Sequence, residues 1–265
     1  MDTKILSPDQ VAKLFLRPKR RDNMLEELPW PSAQRTELQF EGGRLVLWEV
    51  GKGPVVLALH GWEGSVTDLK AFVPDLVRLG FRIVALELPA HGRSDGETTS
   101  LFQCIRAVNH AVAAHIGQVS AVLAHSVGCP VAVEAIGSEF KPEAVVLIAT
   151  PARYKDYAQQ FGRVAGLDEA GVHLMLEALY KLGVDVAALD MSKTARFLET
   201  SALLIHSDDD RVIPNSIGQE VANAWPGAEF LLVNGLGHRK ILSAPIVVEA
   251  AVSFLQARVT SLAPE

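Results

Sequence analysis

Residues 121–130 read AVLAHSVGCP. Small and apolar residues run up to His125 and Ser126, and Val127 and Gly128 follow. A short apolar run that ends in a serine and then in small residues reads as a buried strand turning sharply into a helix. The serine has two readings. Serine commonly caps the helix it precedes, or it is a nucleophile displayed on the turn. The rest of the chain has to choose between them.

Working outward, similar runs recur: PVVLALH (54–60), FRIVALEL (81–88), VSAVLAH (119–125), EAVVLIAT (143–150), SALLIHS (201–207) and AEFLLVN (228–234). Runs without polar alternation suit strands buried on both faces of a parallel sheet. Ahead of them, TELQF (36–40) and RLVLWEV (44–50) flank Gly42-Gly43 and predict a β-hairpin. Helix-length segments lie near 66–79, 100–115, 127–139, 214–225 and 244–257. The alternation predicts an α/β fold with an eight-stranded, mostly parallel sheet flanked by helices. One interval breaks the rhythm. Residues 151–200, with helical patterns near 154–164, 168–182 and 193–198, exceed what one crossover needs, and predict a small helical cap inserted into the 36–265 domain.

Residues 1–35 read as an N-terminal arm. Ser7-Pro8 starts a helix well, Val11, Leu14 and Phe15 share a face, and RPKRR (17–21) and LPWP (28–31) follow. The plainer reading, an arm packed on the body or on a second copy of the chain, is preferred to a basic contact surface. The chain has 265 residues, 49% of them hydrophobic, and a net charge of −6. That balance predicts neither nucleic-acid nor anionic-membrane binding. No apolar stretch approaches the roughly 20 residues of a membrane span, and MDTKILSPDQ does not read as a signal peptide; the expected location is cytoplasmic. Two cysteines, Cys104 and Cys129, give no disulfide framework and no metal spacing.

Ligands of such sheets bind at the carboxyl ends of the strands. Five of the eight histidines, His60, His91, His125, His206 and His238, fall there, with Ser126 and the acidic run Asp208-Asp209-Asp210. A serine nucleophile needs a base, and the base needs a partner that holds its tautomer. Ser126, an aspartate of 208–210 and His238 supply all three. The backbone N–H of Val127, at a helix start, and that of Trp62, in the loop after LALH, are the candidate donors to a developing oxyanion.

At this point the chain resembles the α/β-hydrolase family. A-H-S-V-G (124–128) is similar to the nucleophile elbow G-x-S-x-G. LALHGWEGS resembles the strand and oxyanion loop, LELPAHGRSDG (86–96) the D-x-P-G-H-G-x-S segment, HSDDDRVIP (206–214) the acid loop and NGLGHRKIL (234–242) the loop of the base. The order serine, acid, histidine is the family's, and the resemblance covers roughly 36–257. It implies Ser126 as nucleophile, Asp210 as acid with Asp209 in reserve, His238 as base, Trp62 and Val127 as oxyanion donors, and a cap after the sixth strand. Three departures stand out: Ala124 replaces the first glycine of the elbow, Glu87 and Ala90 replace Asp and Gly in the second loop, and Ser207 replaces a glycine in the acid loop.

Glu63, His125 and Arg153 are the candidate pocket residues, with Lys155 and Arg163 as further cap cations and MLEALY (175–180) as a candidate apolar wall. The histidines lack compact ligand spacing, so no metal is expected, and the chemistry requires no cofactor. The resemblance implies a serine hydrolase cleaving a carboxylic ester of a small acyl substrate through an acyl-enzyme. Thioesterase, amidase, acyltransferase and carbon–carbon hydrolase remain alternatives on the same residues, as does a non-catalytic ligand-binding protein.

Overall fold

The computed structural model describes residues 6–20 and 30–260. Arg21 of the basic run and Leu28-Pro29 of LPWP lie outside the described residues. The strands are β1 Gln34–Phe40, β2 Gly43–Gly51, β3 Val55–Leu59, β4 Arg82–Glu87, β5 Ala121–His125, β6 Ala144–Ile148, β7 Ser201–Ser207 and β8 Glu229–Val233. They form one sheet in the order β1-β2-β4-β3-β5-β6-β7-β8. β1 pairs antiparallel with β2 and β2 with β4, and the other pairs are parallel. The hairpin turns one residue earlier than expected. Phe40 faces Gly43, and Glu41 and Gly42, at φ 45° and 81°, form the two-residue loop. Two positive φ values match the right-handed twist of the strands.

All side chains of β3, β5 and β6 are buried. Val55, Leu57, Leu59, Val122 and Ala124 join one core, and Val56, Ala58, Ala121 and Leu123 the other. The period of two thus survives, but both faces are covered, which is why the runs look continuous. Burying each such Leu or Val stabilises the fold by about 1.5–3 kcal/mol.

The helices are α1 Pro8–Phe15, α2 Val73–Arg78, α3 Leu101–Ala111, α4 Gly128–Ile136, α5 Tyr154–Val164, α6 Glu169–Lys181, α7 Met191–Ala195, α8 Asn215–Ala224, α9 Gly237–Lys240 and α10 Pro245–Arg258. α3, α4 and α8 cover the first face, and α2 and α10 the second. Residues 66–79 do not form one helix. A Ser65–Asp68 capping box closes a short 3-10 turn at Val66–Leu69, and Pro74, which lacks an N–H, sits in the first turn of the separate α2. The expected helix at 193–198 lies earlier, because the Asp190 side chain caps Ser192 N–H at 3.2 Å. α5, α6 and α7 fill the interval between β6 and β7, and α1 packs on α5 and α6 through buried Val11, Ala12 and Phe15. Among the described residues, no helix is long and apolar enough to cross a membrane.

Candidate active site

β5 delivers Ser126 to a turn that few residues tolerate. Ser126 has φ 51°, in the left-handed region, at a cost of order 1–3 kcal/mol. Hydrogen bonds hold it there: its N–H donates to the Ile148 carbonyl and its carbonyl accepts from Cys129 N–H, each at 2.9 Å. Gly128 is required two residues on. A Cβ there would lie 2.6 Å from the Leu59 carbonyl oxygen and 2.8 Å from that of His60. Ala124 is fully buried in the first core, so its methyl, absent from the glycine of the resembling motif, is accommodated.

His238 lies in α9, which follows β8. Its Nδ1–H donates to Asp210 Oδ2 at 2.7 Å, and its Nε2 faces Ser126 Oγ at 3.1 Å. A carboxylate only accepts, so Nδ1 carries the proton and Nε2 is the acceptor. Asp210 follows β7, and its Oδ1 accepts the N–H groups of Val212 and Ile213 at 2.8 and 2.9 Å. Burial opposes its charge, yet hydrogen bonds from His206, His238 and Ile213 outweigh that and hold its carboxyl well below the usual carboxylate range. His206 sits 3.5 Å from Asp210 Oδ2 and donates to the Ile213 carbonyl at 2.9 Å.

Asp209, the reserve acid, points elsewhere and has a different task. Its Oδ1 accepts from Ser207 Oγ–H at 2.6 Å and from Gly237 N–H at 2.7 Å. Ser207 Oγ in turn accepts the N–H groups of Leu236 and Gly237, both at 3.0 Å, and Asp208 Oδ1 accepts Gly235 N–H at 2.9 Å. Ser207, Asp208 and Asp209 therefore fasten the loop that carries His238. Sequence reading did not find this bracing. Its only trace is the run of short acceptors directly after a strand.

The four other histidines of the cluster are structural in their contacts. His125 is buried, its pKa pushed down to about 3 by burial and by His238, and its Nε2–H donates to the His238 carbonyl at 3.0 Å. It steadies the main chain of His238 from beneath. His60 accepts Leu88 N–H at 3.1 Å and donates from Nδ1 to the Gly61 carbonyl at 2.7 Å. Among the described residues no group of side chains could hold a metal ion.

Trp62 and Val127 flank the serine on β3's loop and at the start of α4. Neither backbone N–H has a protein acceptor among the described residues. Gly61 keeps the loop close: a Cβ there would lie 3.0 Å from both Ser126 Cβ and His125 Nδ1. Glu87 is buried and accepts from Trp48 Nε1 at 3.2 Å and from Arg93 N–H; burial pushes its carboxyl above the ordinary range. Ala90 has φ 64° where the resembling pattern has glycine.

Two clefts lie beside α5, and Ser126 and His238 line neither of them. A cleft of about 380 Å³ is lined by Arg153, Tyr157, Gln160, Arg211, Val212 and Ile213, and another of about 220 Å³ by Leu14, Trp62, Glu63, Phe161 and Val164. Glu63 and Arg153 thus stand on cleft walls, whereas His125 is packed behind His238. Arg153 is already paired with Asp156 at 3.4 Å, Asp190 at 3.6 Å and Glu220, which fastens α5 to α7 and α8. MLEALY buries Met175, Ala178 and Leu179 against its neighbours, and Tyr180 is exposed.

Residues 55–251 match the model of the alpha/beta hydrolase family. A pimeloyl-[acyl-carrier protein] methyl ester esterase of Xanthomonas campestris pv. campestris is 26% identical, over 78% of this chain and 97% of that one. An esterase of Pyrococcus furiosus superposes with a TM-score of 0.68 at 18% identity, covering 92% of this chain and 100% of that chain. An esterase of Exiguobacterium antarcticum gives 0.68 at 16% identity, covering 84% and 100%. The two structural likenesses show a common fold.

Proposed function

The chain belongs to the alpha/beta hydrolase family, and on that premise we propose that it hydrolyses a carboxylic ester through an acyl-enzyme on Ser126. The observation that carries this reading is the unbroken line from Ser126 Oγ to His238 Nε2 at 3.1 Å and from His238 Nδ1 to Asp210 Oδ2 at 2.7 Å.

Serine at its ordinary pKa is a weak nucleophile. His238 Nε2 takes the Ser126 proton as Oγ attacks the ester carbonyl. Asp210 keeps the Nδ1 tautomer and stabilises the imidazolium that forms. The N–H groups of Trp62 and Val127 hold the oxyanion, a contribution of about 10²–10³ in rate for each donor. The imidazolium returns its proton to the departing alkoxide. Water, activated by the same Nε2, then releases the acid from the acyl-enzyme. No cofactor enters.

The relative that hydrolyses a methyl ester supports ester over amide as the bond cut. We assign α5, α6 and α7 to a cap over the site and the clefts beside α5 to the acyl and alcohol portions of a small substrate. The cytoplasm is the expected compartment, and an arm that pairs copies of the chain is a separate expectation, which the solution mass of a chain lacking residues 1–34 tests. The functional test is hydrolysis of p-nitrophenyl esters from acetate to decanoate. Wild type cuts them with a preference set by the clefts, and Ser126→Ala does not. Equal rates in both would end the reading.

A further inference from the structure

The family match begins at Val55, yet residues upstream of it grip the site. Arg20 donates to three main-chain carbonyls, Gly92, Ser94 and Gly96, each at 2.7 Å. All three belong to the loop after β4. One guanidinium offers five N–H donors in a fixed fork, and a cluster of carbonyl oxygens is what it fits. The preceding residue acts on the other side. Lys19 N–H donates to Glu63 Oε1 at 3.3 Å. Glu63 follows Trp62 directly and is held at φ 54°, a left-handed conformation.

The two contacts converge on Trp62. The loop gripped by Arg20 carries His91, which is 2% exposed. Its ring stands edge-on to Trp62 at 5.1 Å and lies 5.1 Å from His60. Its Nδ1–H donates to the Pro89 carbonyl at 2.9 Å, and burial keeps the ring neutral, so it acts as a packed wedge. Beneath the wedge, His60 donates to the carbonyl of Gly61, the oxygen of the Gly61–Trp62 peptide, at 2.7 Å. That peptide's N–H is the proposed oxyanion donor. From the end of β4, Glu87 accepts the N–H of Arg93 in that loop.

We propose that Arg20, with Lys19, is a positioning device for the oxyanion loop. The arm clamps the outside of the loop after β4, His91 transmits that position to Trp62, and the Lys19–Glu63 bond fixes the residue on the far side of the donor. Arg20 touches no reacting atom. It acts by keeping one peptide N–H aimed, and the inference rests on the ester-hydrolase reading of Ser126. A donor removed outright costs about 10²–10³ in rate, so a donor left in place but loosely aimed costs a part of that, about 10-fold in kcat.

The experiment compares full-length wild type, Arg20→Ala, Arg20→Lys and Arg78→Ala on p-nitrophenyl butyrate. Active sites are titrated with a fluorophosphonate, Tm is recorded, and binding of butylboronic acid reports a tetrahedral adduct that needs the oxyanion donors. In Arg20→Ala, kcat per titrated site falls about 10-fold, KM stays within about twofold, and boronic-acid affinity falls by the same factor as kcat. Arg20→Lys keeps the charge without the fork and falls between the two. Arg78→Ala, which loses an exposed pair with Asp75 at 2.9 Å on α2, away from both clefts, behaves as wild type. A merely structural Arg20 would lower Tm and the number of titratable sites and leave kcat per site and boronate affinity unchanged, which overturns the proposal. If Arg20→Ala does not fold, Arg20→Lys decides by the same two readouts. If Ser126→Ala still hydrolyses the ester, the underlying reading fails; if it is dead while Arg20→Ala matches wild type, only the arm's role fails.

Discussion

The loop of the proposed base, His238, and the loop of the proposed oxyanion donor, Trp62, are held by different means. Around His238 the bracing comes from short polar side chains one strand away. Ser207, Asp208 and Asp209 accept four N–H bonds from residues 235–237, and His125 donates to the His238 carbonyl. Around Trp62 the bracing is aromatic packing by His91 and contacts from an arm some forty residues upstream in sequence. The first arrangement is local and polar; the second is assembled from distant segments. On the proposed roles, fixing the base depends on a few identifiable acceptors, whereas fixing the oxyanion donor depends on the packing of several elements together.

The largest effects come from the line both loops serve. Ser126→Ala and His238→Ala lower kcat by about 10⁴–10⁶, and Asp210→Asn by about 10⁴, read by steady-state hydrolysis of p-nitrophenyl esters. Asp210→Asn keeps the shape but offers Nδ1 no carboxylate, so the imidazole no longer has its tautomer fixed or its charge stabilised. Next comes the turn shared by the two loops. Gly128→Ala forces a methyl against the carbonyls of Leu59 and His60, and loses about 3 kcal/mol or more in urea unfolding. Gly61→Ala meets its neighbours at 3.0 Å and costs less.

The polar bracing is broken by the double variant Ser207→Ala/Asp209→Ala. It lowers kcat about 10-fold with KM nearly unchanged, because the histidine loop loses acceptors that no other group replaces. Acid sharpens the comparison by loading both loops at once. His125 and His91 have folded pKa values of about 3, below the roughly 6.5 of an unfolded histidine. The unfolded chain therefore binds more protons between those values. Stability is full above about pH 6.5 and declines as pH falls toward 3, by about 1.4 kcal/mol per pH unit for each site. His91→Asn flattens that slope by one site in urea melts run from pH 6.5 to 4. The smallest effect is on the oxyanion side. Ala90→Gly removes a left-handed alanine at φ 64°, and raises stability by up to about 1 kcal/mol, seen as a Tm increase of a few degrees.

Much of this was legible in the sequence because β3 to β7 are buried on both faces, whereas β8, also written as an apolar run, is a half-exposed edge strand. Ser126, Asp210 and His238 fall at or shortly after the ends of three apolar runs, and the structure brings them within hydrogen-bond range. The preference for Asp210 over Asp209 came from the resemblance of the acid loop and not from the acidic run itself, since adjacent carboxylates in a turn differ only in direction. Nor was the break at Pro74, which depends on a cap at Ser65 closing the preceding turn early. Arg153 looked like a pocket cation because its partners, Asp190 and Glu220, are remote in sequence. For the basic run 17–21 the packed arm was preferred to a basic contact surface, but its acceptors were not foreseen. Arg20 faces carbonyl oxygens, which no pattern of side-chain charges discloses.

The central claim is that Ser126 becomes covalently acylated. The direct measurement mixes the protein with p-nitrophenyl butyrate, quenches within the first turnover in acid, and reads the intact mass and then the proteolytic peptides. The account predicts one butyryl group on the peptide containing Ser126, appearing with the burst of p-nitrophenol and absent from Ser126→Ala. A butyryl group on another residue, or full turnover by Ser126→Ala, would contradict it.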